Sequence, residues 1–364
     1  MELKDTPLKE EHLKLNALMS EFAGWFLPIH YGSVIEEAKH TRAKVSVFDI
    51  FHMGKFIVRE NPDKSSLDSI ITVPVTKMKT GKCKYGFLLN DSGTVIDDLI
   101  VFRIKEDEWM IVVNASNEEK DAKIISSKLS KSASFENISS KTAKLDVQGP
   151  LSSEIVSKIA GDKIKELKYF SCSVFNFFGG DYIISRTGYT GELGFEIYID
   201  KDKVIELWKE LLKFNECKPA GLGARDILRL EMGYPLYGDE LTEDITPLEA
   251  GFERVLDFEK DFTGKQALLK QKKEGIRKTL IGIECNDRRQ PRHLNKIFKN
   301  GKEIGFVTSG VFSPHLNRGI GMGYIFTDSA KAEDEINIVS EKGEISGKIA
   351  ELPFLKETSL KYVC

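Results

Sequence analysis

Apolar residues recur at helical spacing in two early segments, so residues 8–19 and 34–44 predict amphipathic helices, the second with Glu and Lys along one side. The aromatic stretch Phe22-Ala23-Gly24-Trp25-Phe26-Leu27-Pro28 lies between them. From Lys55 to Phe135 the period changes. Runs at 55–58, 85–89, 94–104 and 109–113 read as strands and 117–129 as a helix, a mixture that suits an α+β unit. Residues 130–144, rich in Ser and Lys, predict a solvated connection. Strands near 143–148, 181–185 and 195–199 follow, with helices near 204–214 and from Gly221-Leu222-Gly223 to Met232. After a basic helix at 265–278 the text becomes strand-rich, at 279–284, 296–298, 304–309, 321–325 and 336–339. Asn300-Gly301 between two of these runs is a hairpin signal. No fixed-period repeat is present, which argues against a solenoid or propeller.

A chain of 364 residues exceeds what one hydrophobic core usually organises, and two or three domains are expected. With 41% hydrophobic and 30% charged residues the composition excludes wholesale disorder. A net charge of -3 offers no broad basic field for nucleic acid or anionic lipid. No apolar run approaches the ~20 residues of a membrane helix. The opening residues resemble neither a secretory signal nor a transit peptide, so a cytoplasmic protein is expected. Five scattered cysteines, Cys83, Cys172, Cys217, Cys285 and Cys364, suggest reduced packing thiols.

Three local features could carry chemistry. In Asn90-Asp91-Ser92-Gly93-Thr94-Val95-Ile96-Asp97-Asp98-Leu99 a turn leads into an apolar strand broken by two carboxylates. Alternation sends Asp97 and Asp98 to opposite faces, so each lines a polar site, meets a partner or is solvated at a sheet edge. In Arg186-Thr187-Gly188-Tyr189-Thr190-Gly191-Glu192-Leu193-Gly194-Phe195-Glu196 the glycines permit a tight, backbone-exposed loop. Glu196 then enters a strand, where it either grips an amidine-like edge or is solvated. Arg225 falls in the first turn of a helix, where the dipole disfavours a cation, which points to a nearby anion from ligand or protein. Arg229 is spaced to pair with Asp226. The six histidines lack metal-ligand spacing, and His52 is either functional or structural.

In order and spacing these pieces resemble the glycine cleavage T-protein (aminomethyltransferase) family nearly end to end. The resemblance rests on Thr6-Pro7-Leu8, Phe22-Ala23-Gly24-Trp25, Val47-Phe48-Asp49, His52-Met53-Gly54, Val95-Ile96-Asp97-Asp98-Leu99 and Val113-Asn114-Ala115. It continues through Gln148-Gly149-Pro150, the 185–192 loop, Gly221-Leu222-Gly223-Ala224-Arg225-Asp226, Thr308-Ser309-Gly310 and Ser313-Pro314. What it implies is an α+β, three-domain cloverleaf around a central folate channel. A discontinuous first domain (1–50 and 139–275) would receive an inserted ferredoxin-like domain (51–138), followed by a C-terminal jelly-roll-like β-barrel (276–364). The implied reaction passes the carbon of an aminomethyl group on the lipoyl arm of H-protein to tetrahydrofolate, releasing ammonia and 5,10-methylenetetrahydrofolate, with no metal. By resemblance Asp98 is the catalytic carboxylate and Glu196 grips the pterin. Met53, Tyr85, Asn114, Tyr169, Tyr189, Arg225 and Tyr234 would complete the folate site. The Lys270–Lys278 stretch is a candidate surface for H-protein or a plain solvated helix. One departure is Phe51, where the family usually has Ser, which predicts a reshaped channel mouth. Alternatives are a tetrahydrofolate-dependent demethylase of a small methylated donor and a non-catalytic folate-binding protein.

Overall fold

The computed structural model describes residues 3–340 and 343–361. The chain forms two compact units. The first comprises Met1–Gly86, Leu99–Arg225 and Thr358–Cys364, and the second Phe87–Asp98 and Asp226–Glu357. Cys83, Cys172, Cys217 and Cys285 are buried free thiols, and Cys364 lies outside the described residues. Among the described residues no helix is long and apolar enough to cross a membrane.

The first unit is organised by a six-stranded sheet in the order Cys172–Phe177, Gly180–Ser185, Gly194–Asp200, Thr142–Gln148, Val45–Asp49, Cys217–Pro219. Only the last pairing is parallel. Odd positions of Thr142–Gln148, namely Ala143, Leu145 and Val147, join Phe195, Ile197 and Ile199 in one buried core. Helix Val204–Leu212 closes over that core with Val204, Leu207, Trp208 and Leu211, spaced to share one helical face. Helix Val34–Ala43 begins where Ser33 accepts a hydrogen bond from the Glu36 amide, with Glu36 and Glu37 in its first turn.

A five-stranded sheet has the order Cys83–Leu89, Val95–Lys105, Glu108–Val113, Gly54–Arg59, Ser134–Asn137. The Asn117–Leu129 expectation corresponds to helix Glu118–Lys128. Two expectations need correction. The first helix covers only Lys9–Lys14, because Asn16 takes a left-handed conformation (φ 56°) and the following residues form the strand Leu18–Phe22. The 130–144 stretch is not merely a solvated connection. Phe135 packs on Phe56 with ring centroids 5.3 Å apart, which draws Ser134–Asn137 into the sheet. Helix Ser152–Ala160 and strands Cys172–Phe177 and Gly343–Ala350 have no counterpart among the sequence-based expectations.

The second unit carries a closed six-stranded barrel in the order Lys278–Cys285, Arg318–Phe326, Lys302–Ser313, Lys296–Lys299, Glu335–Ser340, Gly343–Ala350. Alternate residues fill it, among them Ile283, Ile297, Val307, Ile325, Ile336, Ile338 and Ile349. The expected Asn300-Gly301 hairpin joins Lys299 to Lys302, with φ of 51° and 76° at its two residues.

Candidate functional site

The other face of the six-stranded sheet is polar yet buried. Even positions of Thr142–Gln148 place Lys144, Asp146 and Gln148 on it, in register with Tyr198, Glu196 and Gly194 of the neighbouring strand. Ser185 lies opposite Glu196 on the far side. Lys144 is 2% exposed, Asp146 0% and Glu196 3%, so the cluster must satisfy itself. Lys144 Nζ sits 2.8 Å from Glu196 Oε1, 3.5 Å from Asp146 Oδ1 and 3.5 Å from Met53 Sδ. Glu196 Oε2 accepts from the hydroxyls of Thr187 at 2.6 Å and Tyr198 at 3.1 Å. Arg225 Nη1 donates to Asp146 Oδ2 at 2.6 Å, and its guanidinium lies 4.9 Å from the centre of the Tyr189 ring. The anion foreshadowed by Arg225 in a helix's first turn is thus a protein carboxylate.

Burial is the largest influence on the Glu196 carboxyl and pushes its pKa up. The Lys144 charge and hydrogen bond, the Thr187 hydroxyl and the Arg225 charge together outweigh it, and the net displacement is downward. For Asp146 burial prevails and the carboxyl is raised, in spite of Lys144 and Arg225. Two further buried bases lie beside the cluster. Burial, with the Lys144 charge, pushes Lys55 down to about 7, and its Nζ donates to the Phe51 carbonyl at 2.9 Å. Burial pushes His52 down to about 3, and its Nδ1 has no hydrogen-bond partner. His52 packs edge-on against Phe22 at 5.5 Å, an arrangement that fits the structural reading of this residue.

The glycine-rich loop is not backbone-exposed but buried, because it wraps the Gln148 side chain. A Cβ at Gly188 or at Gly194 would fall 2.2 Å from Gln148 Oε1. Gln148 Nε2 donates to the Thr187 carbonyl at 3.2 Å, and Thr190 Oγ1 donates to Gln148 Oε1 at 2.9 Å. Outside that wrap Arg42 reaches the Thr190 carbonyl at 2.6 Å and Glu192 Oε1 at 2.8 Å. Ser359 donates to Glu192 Oε2 through both its amide, at 2.9 Å, and its hydroxyl, and its Oγ accepts from the Leu193 amide at 2.9 Å.

Of the residues anticipated from sequence, Met53, Tyr189, Glu196 and Arg225 are joined through Lys144 and Asp146, neither of which was anticipated. The signal that could have found them is the alternation Lys144-Leu145-Asp146-Val147-Gln148, a polar face on a strand whose apolar face is core. Tyr85 and Asn114, in the same unit, are half-buried, the latter just before a 3-10 turn. Tyr169 is 43% exposed and packs edge-on against Phe170. Asp98 and Tyr234 belong to the second unit. There Asp97 is buried and Asp98 half-buried, so the strand does send its two carboxylates to unlike surroundings. The Tyr234 backbone is pinned by Arg229, whose carbonyl accepts from the Tyr234 amide and whose Nη1 donates to the Tyr234 carbonyl. Arg229 makes the expected pair with Asp226 at 2.8 Å and also reaches Glu240 at 2.8 Å and Ser309 at 2.9 Å. Phe51, the departure from the family's usual Ser, lies in the first unit. Its ring is buried in the sheet core, edge-on to Trp25 at 5.4 Å and 5.1 Å from Lys55 Nζ. Among the described residues no group of His, Cys, Asp and Glu is arranged to hold a metal ion.

Residues 8–260 match the GCVT N-terminal domain family, and residues 278–356 match the glycine cleavage T-protein C-terminal barrel domain. The aminomethyltransferase of Halothermothrix orenii is 42% identical over 357 residues, covering 97% of this chain and 100% of that protein. That of Thermosipho melanesiensis is 43% identical over 357 residues, covering 97% and 98%. The crystal structure of glycine cleavage system aminomethyltransferase T from Bartonella henselae superposes with a TM-score of 0.92 at 31% identity, over 98% of this chain and 99% of that one. Matched in both halves and along nearly its full length, the chain belongs to the glycine cleavage T-protein family, the aminomethyltransferases.

Proposed function

We propose that the chain transfers the carbon of an aminomethyl group, carried on the lipoyl arm of an H-protein, to tetrahydrofolate with release of ammonia. The observation that carries the folate reading is Glu196, a buried carboxylate held below its usual pKa by Lys144, Thr187 and Arg225. An ionised acceptor in such surroundings suits the adjacent N–H donors of an aminopyrimidine ring, each charge-assisted bond contributing roughly 1.5 to 3 kcal/mol. Met53 would give the pterin an apolar wall. Tyr85, Asn114, Tyr169, Tyr189, Arg225 and Tyr234 would line the rest of its course. Tetrahydrofolate, when bound, supplies the nitrogens that take up the carbon. Asp98, while ionised, would stabilise positive charge on the carbon in transit and would then take up the proton lost by the folate nitrogen that attacks it.

The decisive assay is ammonia release from aminomethyl-lipoyl H-protein, with and without tetrahydrofolate, using Asp98→Asn as control. Turnover that requires folate and collapses in the variant, while folate affinity changes little, is the expected result. Folate binding without ammonia would instead direct the search to small methylated donors. Glu196→Ala is expected to weaken tetrahydrofolate binding by roughly 2 to 4 kcal/mol. A change under about 0.5 kcal/mol would remove Glu196 from the site.

A further inference from the structure

A strand lysine normally carries its ammonium to water along a four-carbon stem. Lys144 instead ends among Glu196, Asp146 and Met53 and is 2% exposed. Its bond to Glu196 also enters the carboxylate's donor count. An ionised carboxylate offers about four acceptor positions. Oε2 is taken by the Thr187 and Tyr198 hydroxyls and Oε1 by Lys144, which leaves one position on Oε1 without displacement and a second only if the longer Tyr198 bond yields. Without the ammonium, Glu196 would stand in a buried site with neutral hydroxyl donors and a second carboxylate, Asp146, directly across the ladder, and the remaining cation, Arg225, is bonded to Asp146 rather than to Glu196. Under those conditions a carboxyl binds a proton, and a protonated carboxyl presents a donor to a ligand edge that is itself a donor.

We propose that Lys144 is a positioning residue of the tetrahydrofolate site, keeping Glu196 ionised and its carboxylate aimed, so that the site accepts a ligand edge bearing two adjacent N–H donors. The proposal rests on the reading of Glu196 as the pterin acceptor. Lys144 acts through Glu196 and through Met53, whose sulfur it touches. The charged and titratable groups around Glu196 are Lys144 and Asp146 from the adjacent strand, Arg225 from the helix that follows Gly221, Tyr198 from its own strand and Cys83 from the Cys83–Leu89 strand. Lys144 in turn faces Lys55 and His52. Burial raises Tyr198 and Cys83 well above their usual values and lowers His52 to about 3, so none of these changes charge near neutrality. Lys55, at about 7, does, and the test must separate it from Glu196.

The test is the pH dependence of binding of 5-formyltetrahydrofolate, whose N5 is not basic, between about pH 8 and about pH 5.5. It compares the unmodified chain with Lys144→Met, Lys144→Arg, Glu196→Gln and the Lys144→Met/Glu196→Gln double variant, with thermal melts to verify folding. The unmodified chain and Lys144→Arg are expected to bind with nearly constant affinity, and Glu196→Gln weakly but without slope. Lys144→Met should lose about tenfold in affinity per pH unit below its raised carboxyl value, and the slope should vanish in the double variant, which excludes Lys55 as its source. A flat Lys144→Met profile at unmodified affinity overturns the proposal while leaving Glu196 as acceptor. Undiminished binding by Glu196→Gln overturns the Glu196 reading itself. Should Lys144→Met not fold, the unmodified chain decides. A flat profile supports the proposal, whereas a fall of about tenfold per unit below about pH 7 that Glu196→Gln abolishes means that Lys144 does not hold Glu196 ionised.

Discussion

In the closed barrel of the second unit the inward positions are Ile283, Ile297, Val307, Ile325, Ile336, Ile338 and Ile349. On the polar face of the first unit's sheet the equally enclosed positions are Lys144, Asp146, Gln148, Glu196 and Tyr198. Both are strand faces shielded from water, yet the barrel keeps its charges outside, in pairs such as Lys296–Glu303 and Lys348–Glu333. Burying apolar area stabilises on its own, at roughly 25 cal/mol per Å². Enclosing ionised groups costs several kcal/mol per ion before their mutual attraction is counted, and a hydrophobic replacement of the whole set is often no less stable. The sheet therefore holds an arrangement that stability alone does not favour, whereas the barrel holds one that stability explains. The difference is what the proposed role of the sheet face in binding folate would account for.

Removing single lysines from the two regions should give effects of different size and sign. Lys144→Ala leaves Glu196 and Asp146 facing each other without their ammonium and should destabilise the chain by about 3 to 5 kcal/mol. Urea unfolding at neutral pH measures it, and a loss below about 1 kcal/mol would mean that the cluster tolerates an uncompensated charge. Lys55→Met should act in the opposite direction. A drop from 10.5 to about 7 means that folding is penalised by the buried ammonium in full below about pH 7, and that the penalty fades as pH rises toward the unfolded-state value. After the hydrogen bond to the Phe51 carbonyl is subtracted, a gain of about 2 to 4 kcal/mol near pH 7 is expected, shrinking at higher pH. A gain that stays constant to about pH 10 would contradict that linkage. The smallest effect belongs to the barrel. Lys348→Ala, with its 72%-exposed partner Glu333, should change stability by at most about 0.5 kcal/mol. A larger loss in the same unfolding experiment would show that surface pairs hold the barrel shut.

Individual strands of the C-terminal region and the Asn300-Gly301 hairpin were legible because they state their own geometry within a few residues, whereas closure into a barrel was only implied by the family resemblance and the strands Cys172–Phe177 and Gly343–Ala350 were missed. Lys144 was not legible. It closes a Ser- and Lys-rich stretch that reads as solvated, and its burial depends on Glu196, which lies far along the chain and arrives only through strand pairing. Lys55 was hidden in the same way, as one lysine in an apolar run whose surroundings are set by Phe51 and Lys144. Glu196 and Arg225 could be singled out as unusual, each with a bland reading beside the functional one, but composition alone could not say that they share Asp146 and Lys144 as neighbours. Phe51 could be singled out as a departure from the family's Ser, but its packing against Trp25 and Lys55 arises only in the fold.

Glu192 has a consequence for the order in which the molecule can be completed during synthesis. Its carboxylate is buried under Arg42, near the start of the sequence, and Ser359, made only after the whole second unit has been translated. Until Ser359 emerges, the glycine-rich loop that carries Tyr189 and leads into Glu196 holds a half-satisfied acid. The loop therefore locks only after the last barrel strand, Gly343–Ala350, has been made, and a product cut short before Thr358 would carry every proposed folate residue with the latch on the Tyr189 loop left open.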